Sequence, residues 1–448
     1  MSVVQALRYF DSMRSFASLP VTDGQAVKLR RYFSLEAGPY LAKRAQTQNS
    51  RLFDLHVHTD YSDGQLDALS VFRLALSKGV GSLALTDHNV VGNVLADMRS
   101  AWGEGIDHTF ASSELALYTP LGETHFKLYF DPFRTAEFVP LIHRTKEEAR
   151  SALFLQIESL KTLSSDQGLS KYDREALDSF YAYLGCRGIQ KGEILGCFKK
   201  CADGLSRIPQ SRMQALTVLM CKIENPAEAL GDESIAVLDP RDSGSSDYRI
   251  IRKFLQQVLA PSKELLAQGI TPAHLCLEEL SQMGGLLVFA HPGRYERDGF
   301  SRKLVSMVAA ELAARNVLYG LETSYTSYDP GTAGFYTGLA QELGLEQDGG
   351  SDFHTMKVTD SDGELGRGDT RRYGEKGNVH VEPSVAEKIR RRLAFPLLQD
   401  AKAFALEDPA EARLRLSRSL TIDPYLFLDE SLNVKGLLLH LLGRGGQG

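Results

Sequence analysis

Three features are scarce in this 448-residue sequence: cysteine, long apolar runs and an excess of basic charge. The five cysteines are an odd number scattered through helix-like sequence, which excludes a disulfide-framed secreted domain and favours a reducing compartment. No apolar run reaches the roughly 18 residues of a membrane-spanning helix. Arg8, Asp11 and Arg14 interrupt any apolar core of a signal peptide. We therefore expect a cytoplasmic protein that does not bind membranes.

The charge balance is mildly acidic. With 51 Lys and Arg against 57 Asp and Glu, the formal net charge is −6, so the surface as a whole lacks the basic field that holds nucleic acid regardless of sequence. The basic triplet Arg390, Arg391 and Arg392 is more typical of a solvated helix face than of nucleic-acid contact. Any polyanionic substrate must therefore be bound locally.

Short β-prone runs that end in polar residues alternate with helix-like segments from Arg51 onward. This alternation is typical of a β/α architecture. The seven runs are Leu52–His58, Ser82–His88, Phe110–Leu117, His125–Phe130, Leu286–His291, Gly320–Thr323 and Glu346–Phe353.

The same pattern divides the chain into five segments. Residues 1–50 are predicted to form an N-terminal helical extension, and residues 51–131 and 271–360 to carry the strands. Between them, residues 132–270 are long, charged and mostly helical in pattern, which predicts a large helical insertion between the fourth and fifth strands. Residues 361–448 are predicted to form a C-terminal helical extension.

Histidines and acidic residues stand where the predicted strands end. His56 and His58 close the first run, and because residues two apart on a strand point the same way, both imidazoles can bind one ion. The carboxyl ends of barrel strands converge on one face, where active sites are built. The nine candidate metal ligands are His56, His58, Asp63, His88, Glu114, His125, His291, Asp352 and His354.

This set of donors selects divalent cations such as Mn²⁺, Zn²⁺ or Fe²⁺. The absence of thiolates from the set argues against a purely structural zinc site. Nine ligands exceed what one four-coordinate ion needs, so two or three ions are expected, with at least one bridging carboxylate. Closely spaced ions of this kind stabilise the attacking and leaving oxygens in phosphate ester hydrolysis.

Four motifs in a fixed order resemble those of the polymerase and histidinol phosphatase (PHP) family: HVHTDYSDG at 56–64, LTDH at 85–88, AHPGR at 290–294 and GGSDFH at 349–354. Together with Glu114 and His125 they are similar to its small phosphoesterase branch, whose members release phosphate from 3′,5′-bisphosphonucleotides or trim short RNA from the 5′ end. The resemblance covers residues 51–131 and 270–356. It implies an α/β fold, a distorted seven-stranded (β/α)7 TIM-like barrel, with a trinuclear metal site.

The resemblance also implies how the ligands are shared among three ions. The first ion would be held by His56, His58, Glu114 and Asp352, the second by Glu114, His125 and His291, and the third by Asp63, His88 and His354. One carboxylate, Glu114, would then bridge two ions. A metal-bound hydroxide would be the nucleophile, because two cations lower the pKa of bound water.

Other residues near these motifs have expected roles beside the metals. Asp87 is expected to orient a ligand rather than to bind an ion. Arg294 follows His291 by three residues, so its guanidinium is expected to bind phosphate oxygens. Tyr61 and Tyr295, both next to ligands, are candidates for stacking on a base, although wall packing is at least as common for such residues.

The sequence thus predicts a metal-dependent phosphoric ester hydrolase that acts on a nucleotide or short oligonucleotide. A phosphatase of a small phosphorylated metabolite, as in the histidinol phosphatase branch, is the first alternative. A non-catalytic barrel scaffold is the second, and it would be marked by the loss of several ligands. The length of the predicted insertion leaves the substrate class open, and the sequence predicts no oligomeric state.

Overall fold

The structure is a computed structural model that describes residues 3–18, 23–48, 52–119, 122–145, 272–297, 302–325, 328–354 and 383–443. Most of the predicted insertion over residues 132–270 lies outside the described residues, as does the start of the predicted C-terminal extension. The predicted five-part division of the chain therefore stays a prediction.

Seven strands form one sheet in which each strand pairs with the next along the chain. They are β1 (Leu52–Val57), β2 (Val80–Leu85), β3 (His108–Thr119), β4 (Gly122–Phe130), β5 (Leu286–Phe289), β6 (Leu318–Tyr325) and β7 (Glu346–Gly350). Each corresponds to one predicted run, with ends that differ by a few residues. The predicted α/β barrel fold is confirmed.

Strand β4 runs against the direction of the others. The pairs β1–β2, β2–β3, β5–β6 and β6–β7 are parallel, whereas β3–β4 and β4–β5 are antiparallel. The start of β4 therefore lies at the end of the barrel where the other strands finish. We call that end the mouth and the opposite end the floor.

The sheet closes between β7 and β1 just beyond the end of β7. The amide of Asp352 donates to the carbonyl of His56 at 2.9 Å, and the amide of His58 donates to the carbonyl of Phe353 at 2.9 Å. Val57 forms an isolated parallel bridge with Phe353. Closure thus joins two ligand-bearing motifs directly at the mouth.

Helices connect the strands and extend the barrel at both termini. Up to residue 145 they are α1 (Val3–Ala17), α2 (Asp23–Leu35), α3 (Ala37–Gln48), α4 (Ala68–Ser77), α5 (Val94–Glu104) and α6 (135–145), with a 3₁₀ turn at Pro132–Arg134. From residue 272 onward they are α7 (Pro272–Gln282), α8 (Pro292–Arg297), α9 (Arg302–Ala314), α10 (Pro330–Leu343), α11 (Pro383–Phe404), α12 (Pro409–Ile422) and α13 (Val434–Gly443), with 3₁₀ turns at Pro424–Leu428 and Glu430–Leu432. None of the described helices has the length and apolar character needed to span a lipid bilayer.

Local sequence sets the ends of the helices that frame the mouth. Helix α4 begins after Asp67, whose carboxylate accepts the Ser70 amide at 2.8 Å. Helix α10 begins after the capping residue Asp329, with Pro330 in the first turn, and it ends at Gly344, whose φ of +67° suits glycine. These caps fix where the loops to the neighbouring strands begin.

The helices from both termini pack together over the floor. One apolar cluster contains side chains from α1, α2, α3, α11, α12 and α13 together with barrel residues, among them Tyr9, Phe16, Phe33, Leu41, Phe53, Tyr129, Val288, Leu398, Leu416 and Leu438. Tyr9 of α1 stacks on Trp102 of α5 with ring centroids 5.5 Å apart. The terminal helices are thus part of the barrel's own core and lie away from the mouth.

The basic triplet on α11 is only partly solvated. Arg391 and Arg392 are exposed, but Arg390 is buried, with its guanidinium carbon 5.5 Å from the centre of the Tyr425 ring and its Nε 3.6 Å from Asp423 Oδ1. The expectation of a solvated triplet was wrong for Arg390, because one face of α11 packs into the helical layer.

Candidate metal centre

The nine predicted ligands converge at the mouth. They come from the ends of β1, β2, β5 and β7, from the middle of β3 and from the start of β4. His125 belongs to this set because β4 is antiparallel, which brings its first residues to the same end as the other strands' last ones. Their convergence is observed, and their binding of metal stays a prediction.

Glu114 lies at the centre of the cluster and is fully buried. Its Oε1 is 3.2 Å from His56 Nε2 and 3.1 Å from both His125 Nδ1 and His291 Nε2. Its Oε2 is 3.2 Å from His58 Nε2 and 3.1 Å from His88 Nδ1. The two oxygens of one carboxylate therefore face different sets of imidazoles, as a bridging ligand requires.

Three groups of these side chains have ligand atoms within 4.8 Å of one another. The groups are His56, His58, Glu114 and Asp352; His58, Asp63, His88 and His354; and His88, Glu114 and His125. The first matches the set that the family resemblance implies for one ion. The others differ from it, because His58 also reaches the group of Asp63, and His88 takes the place of His291 beside His125.

Several of the ligand atoms are buried without a hydrogen-bond partner among the described residues. They include His56 Nε2, both ring nitrogens of His58, His88 Nδ1 and Glu114 Oε2. Leaving so many polar atoms buried and unsatisfied is unfavourable unless something else binds them. Imidazole and carboxylate donors at this density suit a divalent cation, so the residues fit a metal centre.

The histidines of the cluster differ in the direction in which their surroundings shift the pKa. Burial lowers the pKa of His291 to about 4, although the nearby Glu114 carboxylate opposes that shift. Burial also acts to lower the pKa of His58, but the Asp352 and Glu114 carboxylates, each 3.2 Å from its Nε2, outweigh burial and raise that pKa to about 9. A dication binding to the same carboxylates would displace such protons.

The backbone is strained at two ligand positions. His291 has a φ of +31° and Asp352 a φ of +56°, in a region that residues other than glycine adopt uncommonly. The Asp352 conformation is held by the hydrogen bond that its backbone amide donates to the His56 carbonyl where the barrel closes. At Gly350 a side chain would collide with His56, so the close approach of the two motifs requires glycine.

Asp87 belongs to none of the three ligand groups, and its carboxylate accepts hydrogen bonds from the loop that follows β1. Its Oδ1 accepts the Thr59 amide at 2.8 Å and the Ser62 hydroxyl at 2.7 Å, and its Oδ2 accepts the Thr59 hydroxyl at 2.8 Å. These bonds fix the turn that carries Asp63. The expected role of Asp87 in orienting a ligand stays a prediction.

Arg294 lies in the first turn of α8 at the edge of the cluster. Its Nη1 is 3.9 Å from Asp352 Oδ2, and its side chain is 18% exposed. The guanidinium thus faces both the ligands and the solvent at the mouth.

The two tyrosines considered for base stacking differ in exposure. Tyr61 is 45% exposed beside Asp63. Tyr295 is buried, and its hydroxyl accepts the His125 amide at 2.8 Å. Tyr295 is therefore wall packing, and only Tyr61 presents a ring to solvent.

Sequence reasoning missed a second layer of residues beneath the ligands. The layer contains Lys127, Glu322 and Asp348, which are buried in the barrel, and Tyr325 beside Asp352. A signal for Lys127 was present, because it follows His125 by two residues on β4 and so shares its inward face. Glu322 is the one acid of β6, and Asp348 shares β7 with Glu346, so neither strand contains a histidine that would have marked these acids as part of the site.

Comparison with known proteins gives limited likenesses. No protein-family model and no curated protein matches the chain. Among solved structures, the chain is similar to an amidohydrolase from Chromobacterium violaceum, at 20% identity and a TM-score of 0.37 over 67% of this chain and 87% of that one. It is also similar to a proposed metal-dependent phosphoesterase from Bifidobacterium adolescentis, at 20% identity and a TM-score of 0.37 over 72% of this chain and 95% of that one. Both scores are low, so the geometry of the site carries the proposals below.

Proposed function

We propose that the protein is a metal-dependent phosphoesterase of the PHP type that hydrolyses phosphate esters of nucleotides or short oligonucleotides. The observation that carries the proposal is the position of Glu114, whose two oxygens face different sets of imidazoles at 3.1–3.2 Å. A shared carboxylate of this kind suits two or three neighbouring ions of Mn²⁺, Zn²⁺ or Fe²⁺. Divalent cations there would neutralise phosphate charge and lower the pKa of water.

The chain's own residues supply the remaining requirements of ester hydrolysis. In this reaction water loses a proton as its oxygen bonds to phosphorus, the ester P–O bond breaks, and the leaving oxygen takes up a proton, so the net proton count is unchanged. Arg294 reaches the edge of the ligand cluster, where its guanidinium can bind two phosphate oxygens at once.

One observation favours a nucleotide over a small phosphorylated metabolite. Tyr61 is 45% exposed and lies two residues from Asp63, so its ring offers a base a stacking surface at the mouth. The scaffold alternative is disfavoured because all nine candidate ligands are present and converge. Phosphorylated metabolites remain the competing substrate class.

A substrate panel tests the proposal. The protein, loaded with Mn²⁺, Zn²⁺ or Fe²⁺, is assayed against p-nitrophenyl phosphate, bisphosphonucleotides, oligonucleotides and phosphorylated metabolites, with the metal content of each sample measured. We expect nucleotide or oligonucleotide substrates to be preferred, and His58→Ala to be inactive while the exposed-histidine variant His440→Gln keeps full activity. A metal-loaded protein that hydrolyses none of these substrates would refute the function, and a preference for metabolites would refute the substrate class.

A further inference from the structure

A buried ionic layer lies directly beneath the candidate ligands. Lys127 Nζ is 2.7 Å from Glu322 Oε1 and 3.3 Å from Asp348 Oδ2. The Tyr129 hydroxyl donates to Asp348 Oδ2 at 2.9 Å. None of these side chains is appreciably exposed. Burying a lysine and two carboxylates inside a small barrel is unfavourable unless they are paired. Apolar side chains of similar volume would often stabilise the fold as well, so the presence of charges here suggests a role other than stability.

Glu322 connects this layer to two candidate ligands. Its Oε1 is 3.1 Å from His56 Nδ1, and its Oε2 accepts the backbone amide of His291 at 2.7 Å. The Lys127 ammonium lies 2.7 Å from Glu322 Oε1, and a positive charge at this distance favours the ionised form of the carboxyl group. Glu322 is therefore an ionised carboxylate with two acceptor oxygens and three partners.

The identity of the partners determines the tautomer of His56. A carboxylate only accepts hydrogen bonds, so the Nδ1 of His56 must carry the proton that it shares with Glu322. In the neutral imidazole, the form that binds a metal ion, the lone pair of His56 is then on Nε2, which faces Glu114 Oε1 at 3.2 Å and Asp352 Oδ1 at 3.5 Å. The same carboxylate holds the amide of His291, whose backbone has the strained φ of +31°.

We infer that Glu322 is a positioning residue that presents Nε2 of His56 and the backbone of His291 to the metal centre, with Lys127 as its buried counter-ion. The inference rests on the proposed metal centre and extends it to a residue that binds no ion itself. Partners of metal-binding histidines typically change metal affinity by about 10–100-fold when removed. Glu322 acts on two ligands at once, one through its side chain and one through its main chain.

The substitution Glu322→Gln tests the inference because it keeps the shape and replaces one acceptor oxygen with an NH₂ donor. Whichever oxygen is replaced, the new donor faces another donor. We expect the affinity for Zn²⁺, measured by calorimetric titration, to fall about 10–100-fold, and the visible absorption of bound Co²⁺ to change. The matched control is Asp348→Asn, which alters the same ionic layer without touching a ligand and is expected to keep the Co²⁺ spectrum.

The result that would overturn the inference is a folded Glu322→Gln protein with wild-type Zn²⁺ affinity and an unchanged Co²⁺ spectrum. If the variant does not fold, ¹⁵N-histidine NMR of the zinc-loaded wild type decides instead. A protonated Nδ1 on His56 would support the inference, and a protonated Nε2 would overturn it. Because these measurements follow metal and tautomer, a protein that binds metal without hydrolysing phosphate esters would refute the proposed function and leave this inference standing.

Discussion

The hydroxyl of Tyr325 donates to Oδ2 of Asp352 at 2.8 Å, and both side chains are buried. The other oxygen of Asp352, Oδ1, lies 3.2 Å from His58 Nε2 and 3.5 Å from His56 Nε2. The phenol therefore fixes which oxygen of Asp352 faces the imidazoles. A carboxylate held in this way offers an ion one oxygen instead of two.

Replacing Tyr325 with Phe tests this relationship. Without the hydroxyl, Asp352 is free to rotate, so we expect the Zn²⁺ affinity to fall about tenfold while the fold is retained. Calorimetric titration of both proteins measures the change. Tyr336→Phe is the matched control, because its hydroxyl donates to Glu296, away from the ligands. Equal affinities in wild type and Tyr325→Phe would contradict the expectation.

Removing the shared carboxylate should remove metal and activity together. In Glu114→Ala we expect the metal-to-protein ratio, measured by mass spectrometry, to fall by more than one ion per chain. We also expect activity to fall more than about 100-fold. Removing a residue that only hydrogen-bonds a metal ligand typically costs about 10–100-fold, and Glu114 is itself the candidate ligand. Glu311→Ala, on the exposed face of α9, should match the wild type. Full metal content in Glu114→Ala would rule out the bridging role.

Arg294→Ala should impair substrate binding without loss of metal. A charge-assisted hydrogen bond contributes about 2 kcal/mol, so we expect kcat/KM for a phosphate ester to fall roughly 30-fold. The fall should come mainly from KM, and Arg294→Lys should recover part of it. Arg302→Ala, which removes an exposed arginine paired with Glu296, is the control. A drop in metal content in Arg294→Ala would show that this residue supports the ligands instead.

The sequence was informative where ligand-type residues followed the two-residue repeat of a strand or stood at a strand end. His56 and His58 share a strand face, and each of the other strand-end motifs combines a histidine with an acidic or glycine neighbour. The convergence of these candidate ligands could therefore be predicted from spacing and resemblance. Strand β5 was visible because its apolar residues are contiguous and end in polar ones. Strand β7, with the sequence EQDGG, has no such run. Only strand ends were misplaced, where apolar character does not mark the last ladder hydrogen bond.

What the sequence could not provide depends on contacts between distant segments. Glu322 is 195 positions from Lys127 along the chain and Asp348 lies still further away, and no local pattern encodes their pairing with it. Arg390 belongs to a basic triplet but is buried, because Asp423 and Tyr425 from a later turn pack against it. Tertiary pairing of this kind overrides the composition of a segment.

One histidine, His108, lies at the floor of the barrel, away from the candidate metal ligands at the mouth. His108 is buried, and its ring lies 5.2 Å from the ring of Tyr425. Burial lowers the pKa of His108 well below 6.5, and the positive charges of Arg390 and Arg44 lower it further. Asp107 pairs with Arg44 at 3.2 Å, so it compensates that cation rather than the imidazole.

This environment predicts a loss of stability on mild acidification. The unfolded chain protonates His108 near pH 6.5 and the folded chain does not, so the free energy of unfolding should fall as pH drops below about 6.5. The contribution of one such group is up to about 1.4 kcal/mol per pH unit. Urea titrations from pH 7.5 to 5 should show a shallower decline for His108→Gln than for the wild type. His440→Gln should decline like the wild type, and parallel curves for all three would refute the assignment.

The last prediction concerns the helical layer over the floor. Phe33 of α2 is fully buried and packs against Phe16 of α1 and Phe427 near the C-terminus, with ring centroids 6.2 Å away in both cases. It therefore joins helices from opposite ends of the chain in the cluster that also contains floor residues of the barrel. Phe33→Ala should lower the free energy of unfolding by about 3–5 kcal/mol, whereas Leu35→Ala, at a side chain that is 64% exposed, should change it by less than about 0.5 kcal/mol.

Because the layer and the barrel share one core, the two should unfold together. Fluorescence of Trp102, the one tryptophan in the sequence, reports on the interface of α1 and α5, and Co²⁺ absorption reports on the mouth. The two signals should therefore be lost at the same urea concentration in the wild type and in Phe33→Ala. Loss of the fluorescence signal with the Co²⁺ signal retained would mean that the barrel is stable without its helical layer.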